Sequence, residues 1–158
     1  MPSVTRLLLL LSLAACAPKA PLPDPPEVGL HRQRIGLLQD AIAQTRATIA
    51  ASQDADYLPE LYLRLAELRS EEARYHYLVA EARADGSDEL HVPHVRALEE
   101  EAVTLYRTVT ARFPDSPLAP QAQFLAPHGL RELGEHDAAM VELRELVGAW
   151  PDSVYRHE

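Results

Sequence analysis

Along residues 30–112 the large apolar side chains return every three, four or seven positions, a period that admits helices and little else. Ile35, Leu38, Ile42 and Ile49 form one such stripe. It predicts an amphipathic helix from Leu30 to about Ser52, within an N-terminal segment 30–56. Asp54-Ala55-Asp56 breaks the pattern, and Pro59 stands where a proline opens a helix. A longer stripe follows at Leu58, Leu61, Leu65, Leu68, Tyr75 and Val79, interrupted by Glu72. Ala66, Ala73 and Ala82 leave room there for a neighbouring helix. Asp85-Gly86-Ser87-Asp88 ends it, and 85–93 reads as a polar loop closed by Pro93. A third helix is expected from about His94 to Arg112, apolar at Val95, Leu98, Ala102, Leu105, Tyr106 and Val109. Ala, Leu, Glu and Arg dominate while Gly numbers six and Phe two, which favours helices over a turn-rich β protein. The fold class is therefore all-α, built of antiparallel helical hairpins with almost no strand.

Phe113-Pro114-Asp115-Ser116 and Trp150-Pro151-Asp152-Ser153 are the same element repeated 37 residues apart. In each, proline stops one helix, and Asp or Ser offers an oxygen to the first amides of the next. A period in the thirties marks helix-pair repeats. Here the chain resembles the tetratricopeptide-repeat (TPR) family, in particular the TPR lipoproteins of bacterial envelopes. Leu133-Gly134-Glu135-His136-Asp137-Ala138-Ala139-Met140 is similar to that repeat's inter-helix turn. Ala139, Leu143 and Pro151, and in the preceding unit Ala102, Tyr106 and Pro114, match the small, large and proline positions of second helices. Tyr62, Leu65 and Ala66 match the large-large-small pattern of a first helix. In the later unit Pro127 takes the place of the usual small glycine and Gly129 follows closely, so a kink or shortened helix is expected around 126–129.

The resemblance covers 57–153 and implies a short array of about one and a half to two repeats after the N-terminal helix. It further implies that a partner protein or peptide lies along the first helices, at Gln121, Phe124, His128 and Arg131, with Glu60 and Glu67 in the earlier unit. Residues 154–158 read as the truncated opening of a further helix. Without a polar cap beyond them, Leu143, Leu146, Val147 and Trp150 are expected to form an exposed apolar edge that invites a partner or a second copy of the chain. The alternative is a coiled-coil oligomer in which helices 30–53 and 58–84 assemble between chains with the TPR-like piece appended; neither stripe holds four clean heptads.

The amino terminus reads as an address. Arg6, an apolar run of about nine residues from Leu7, and small residues at 14 and 15 make a signal peptide over 1–15. The run falls far below the ~20 residues of a spanning helix. Leu13-Ala14-Ala15-Cys16 resembles the lipobox of bacterial lipoproteins, in which the peptidase cuts before a cysteine already carrying diacylglycerol. The resemblance implies lipidation of Cys16, with two or three acyl chains to anchor the protein stably. Ala17, in place of the Asp that retains enteric lipoproteins at the inner membrane, implies an outer-membrane location facing the periplasm. Residues 16–29 then form a tether with prolines at 18, 21, 23, 25 and 26. As polyproline II, Ala17–Glu27 reaches roughly 34 Å.

Charge and chemistry narrow the function further. The net charge is -9; losing Arg6 with the leader leaves 14 basic against 24 acidic side chains, or -10. Such a surface repels phosphate and disfavours nucleic acid. One cysteine permits no disulfide within the chain. His91-Val92-Pro93-His94 with His76 upstream is the nearest approach to a metal-dependent enzyme, but Pro93 breaks the helix that would align the pair and no His-Glu-x-x-His motif occurs. Glu99-Glu100-Glu101, being consecutive, point around a helix instead of converging. No nucleophile elbow, phosphate loop or dinucleotide fingerprint appears. The expectation is an interaction scaffold with no catalytic residue, no metal ligand and no cofactor beyond the lipid.

Overall fold

The computed structural model describes residues 23–52, 55–84 and 93–157. The signal peptide, Cys16 and His91 lie outside them, as do Gln53 and Asp54. Among the described residues five α-helices run in sequence: α1 Pro26–Ala51, α2 Leu58–Arg83, α3 Pro93–Arg112, α4 Ala119–Glu132 and α5 His136–Ala149. A 3-10 turn, Val154–His157, follows, and the described residues contain no strand. Each helix packs on the one before it, so the chain is an up-and-down array of antiparallel hairpins. The all-helical reading holds. None of the described helices is long and apolar enough to cross a membrane.

The stripes bury where their spacing places them. Leu38 and Ile42 of α1 meet Leu65 and Leu68 of α2. The centre of the array joins Leu63 and Ala66 of α2, Ala102, Tyr106 and Val109 of α3, and Ala122 and Ala126 of α4. Alanines supply many of these contacts and let the helices approach closely. Val103, Leu130 and Ala139 continue the core into α5. The α1 stripe is thus spent against α2 of the same chain.

Glu72, which interrupts the second stripe, is 2% exposed. Arg69 donates to it at 2.6 Å and Gln39 at 2.9 Å. Arg69 also stands 3.0 Å from Glu101 of α3, which Arg46 of α1 reaches as well. Three helices are thus joined by charge at a point where the core would otherwise be apolar, and the pairing makes burial of Glu72 tolerable.

Two boundaries differ from the sequence reading. The helix expected from Leu30 begins at Pro26, inside the assumed tether, because the last proline of a run suits the first helical turn, where its missing N–H is not needed. Val28 is accordingly fully buried, and Asp24 just ahead of the helix accepts hydrogen bonds from Arg32 and from Arg83 of α2. The second concerns α4, which is not shortened at 126–129 but continues past Pro127 to Glu132. Pro127 is itself buried, so packing on both sides compensates the lost backbone bond.

The 37-residue repeat is a repeat of hydrogen bonds. Ser116 N–H donates to Phe113 O and Ser153 N–H to Trp150 O, both at 3.0 Å. The Ser116 hydroxyl accepts from Leu118 N–H at 3.2 Å, and that of Ser153 from Tyr155 N–H at 3.3 Å. Ser116 thus ties its turn two residues on, ahead of α4, which it does not cap, whereas Ser153 caps the first amides of the 3-10 turn that follows it. Val109 and Leu146, four residues before the aromatic in each copy, are 0% and 1% exposed, and Ala102 and Ala139 are 0% and 2% exposed. Between α4 and α5 the chain turns at Gly134, whose φ of 78° suits glycine. Glu135 N–H closes back on Leu130 O there at 2.8 Å.

Candidate functional site

Because α2 and α4 both lie antiparallel to α3, they run side by side in the same direction. At the end where α2 and α4 finish and α3 begins, they flank a groove of about 880 Å³. Ser70, Arg74 and Tyr77 of α2 form one wall, and Leu125, His128 and Glu132 of α4 the other. Val95 and Glu99 of α3 lie along its floor, with Tyr106 at the inner end.

Close helix packing shapes this floor. A Cβ built on Gly129 would stand 2.7 Å from Val103 Cγ2 and 3.6 Å from Glu99 Oε2. Only glycine lets α4 lie this near to α3, and the approach turns Leu125, His128 and Glu132 toward the groove.

Glu99 is 8% exposed. Its Oε2 accepts a hydrogen bond from the Ser70 hydroxyl at 3.0 Å, and among the described residues no cation stands within ion-pair distance of it. Burial is the first cause that pushes its carboxyl up to about 7; the Ser70 hydrogen bond opposes this and the nearby charge of Glu132 adds to it. Tyr106, buried beside it, is pushed up to about 12, by burial first and then by the negative charge of Glu67. The rim is better paired. Arg96 binds Glu100 at 2.8 Å, Glu135 at 3.1 Å and the Leu133 carbonyl at 3.2 Å, and Glu71 holds Arg34 at 2.7 Å.

Of the six residues that the TPR resemblance placed on a binding surface, His128 lines this groove. Phe124 and Arg131 each sit one residue before a lining position, Leu125 and Glu132. The face of α4 is rotated by about one residue because Gly129 must face α3. Phe124 instead stacks on Tyr155 of the 3-10 turn at 4.9 Å and meets the His128 ring edge-on at 4.9 Å. Gln121 is half-buried one turn farther from the groove, and Arg131 is exposed. On α2, Glu67 lies one turn before Ser70 and pairs with Arg64 at 3.7 Å; Glu60 is exposed near the other end of the helix. The groove therefore lies farther along α2 than those two positions.

The expected apolar edge divides. Leu146 is 1% exposed, a correction: it is the repeat equivalent of Val109 and packs inward as that residue does. Leu143 and Trp150 are half-buried. Val147 is 44% exposed, with Met140 and Val141 near it at 49%. The residues after Ser153 form a 3-10 turn that rests on α4, in place of the opening of an α-helix.

The acids and histidines take separate directions. Glu99 enters the groove, Glu100 turns outward to Arg96, and Glu101 goes to Arg69 and Arg46. His76 and His94 meet edge-on at 4.6 Å. Burial, and then His94, holds His76 below the usual imidazole range. Its Nε2 lies 3.8 Å from Glu72 Oε1, but the Glu72 oxygens already serve Gln39 and Arg69. No cluster of three or more His, Cys, Asp or Glu suited to a metal occurs among the described residues.

Sequence reasoning missed Glu99 as a site residue, reading it as one of three consecutive acids that point around a helix. The signal was present: Glu99 continues the stripe Val95, Ala102, Tyr106, Val109 at four- and three-residue steps.

Comparison with known protein families, with characterised proteins and with solved structures finds no match to this chain.

Proposed function

We propose that this chain is a lipid-anchored, TPR-like interaction scaffold of a bacterial cell-envelope assembly, binding a segment of another envelope protein in the groove between α2 and α4. One observation carries the reading: helices in the positions of successive first helices flank an open groove, and a turn with the same hydrogen bonds recurs 37 residues on behind it. Helix-pair repeats present grooves of this kind to partner segments. The lipobox-like Leu13-Ala14-Ala15-Cys16 supports anchoring through Cys16 with no cofactor beyond the lipid, and Ala17 supports the outer membrane facing the periplasm. Confinement to a surface raises the effective concentration of a tethered module. The role proposed is binding and presentation, not catalysis.

Capture of the tagged protein from detergent-solubilised membranes, followed by mass spectrometry, tests this. A defined envelope protein should co-purify with the wild type and be lost with Tyr77→Glu, which charges an exposed groove residue. Cys16→Ala should abolish incorporation of labelled fatty acid and leave the leader uncut. A folded, membrane-bound protein that brings nothing down contradicts the scaffold reading.

A further inference from the structure

Glu99 presents a nearly buried carboxylate to the groove with one neutral hydrogen bond and, among the described residues, no counter-charge. A buried acid in a folded chain either finds a cation or keeps its proton, and a docking cation displaces that proton. Of the arginines lining the groove, Arg96 is bound to Glu100, Glu135 and a backbone carbonyl, and Arg74, exposed on the α2 wall, makes no ion pair with Glu99. Glu132 stands close enough for its charge to act on Glu99. Val95, Leu125 and Leu133 line the same groove as these acids, and apolar surface beside a charge strengthens its recognition. The net charge of -9 attracts basic partners at longer range.

We infer that the groove takes a protein segment bearing a lysine or arginine, whose cationic head docks between Glu99 and Glu132 while flanking apolar residues lie on Val95, Leu125 and Leu133. This rests on the groove being the docking surface proposed above. The ammonium or guanidinium supplies the counter-charge that Glu99 lacks. Arg74 is exposed on the α2 wall, where it can meet backbone carbonyls of the occupant. Since burial holds the Glu99 proton to about pH 7 in the empty groove, docking of a cation expels that proton, and affinity rises with pH toward neutrality.

Selection of a random 12-residue peptide library on the immobilised full-length protein tests this. Groove-dependent binders, those lost with Tyr77→Ala, should carry a basic residue at one position flanked by apolar ones. Selection on Glu99→Gln, which keeps the Ser70 hydrogen bond, should lose that preference. The best synthetic peptide should bind Glu99→Gln roughly tenfold more weakly at pH 8, the loss of one charge-assisted contact. The gap should narrow below pH 6. Glu132→Gln, on an exposed position, should weaken binding in the same direction without a folding defect. Groove-dependent binders with no basic preference, or a preference unchanged by Glu99→Gln, overturn the cation inference and leave the docking reading standing. Absence of any groove-dependent binder overturns both.

Discussion

The Ser70 hydroxyl reaches across from α2 to Oε2 of Glu99 on α3 at 3.0 Å, beneath the point where Gly129 lets α4 close over both. The bond holds a carboxylate in place without neutralising it. Glu71 and Arg74 face the same groove from α2, Arg96 and Tyr106 from α3, and His128 and Glu132 from α4.

The pH dependence of stability follows. The Glu99 carboxyl rises from an ordinary 4.5 to about 7 on folding, so between those values the native chain holds the proton more firmly than the unfolded one. Stability is therefore lost as pH rises through that window, the full loss being present above pH 7. Glu99→Gln removes the effect. It should match the wild type at pH 4.5 and exceed it at pH 8 by on the order of 1–2 kcal/mol, allowing for water at the groove mouth. Urea denaturation at the two pH values measures this, and an equal difference at both contradicts it.

Gly129→Ala forces a methyl group to 2.7 Å from Val103. Overpacking of this kind costs about 1–3 kcal/mol, against a helix-propensity gain of about 1 kcal/mol. The net expectation is a less stable protein, with Val103→Ala in the same chain recovering part of the loss. A double-mutant cycle by thermal denaturation should show coupling between the sites.

Arg69→Met leaves Glu72 at 2% exposure with only Gln39 donating strongly to it. Removing one member of a buried ion pair typically costs about 3–5 kcal/mol. Arg69→Met should therefore destabilise the chain far more than Arg64→Met, whose exposed side chain meets a half-buried Glu67 at 3.7 Å. Denaturation midpoints decide between them.

Leu146→Ala should cost about 2–5 kcal/mol as a core truncation, while Val147→Ala, one position on and 44% exposed, should change stability by less than about 0.5 kcal/mol. Equal effects at the two positions would contradict the burial of Leu146.

What the sequence made legible was what period and proline placement control. The stripes of α1, α2 and α3 bury as spaced, and Pro59 and Pro93 open helices. Proline was also the source of error, because its effect depends on context that packing supplies: Pro26 starts α1 where a tether was expected, and buried Pro127 leaves α4 intact. The groove face of α4 was misread by one residue, since the rotation is set by the contact of Gly129 with Val103, between residues 26 apart. Leu146 looked exposed while α5 was taken as an open end, yet the repeat itself, pairing it with Val109, pointed inward. Glu99 was hidden by its acidic neighbours, although its place on the stripe distinguished it.

The central claim is that the groove between α2 and α4 receives a partner. Photo-crosslinking in intact cells tests it most directly, with a photoreactive amino acid placed at Tyr77 in the groove or at Leu37, an exposed position of α1. The account predicts one defined adduct from position 77, absent from position 37 and diminished by Glu99→Gln. Adducts equal at both positions, or none from the groove of a folded and anchored protein, would contradict it.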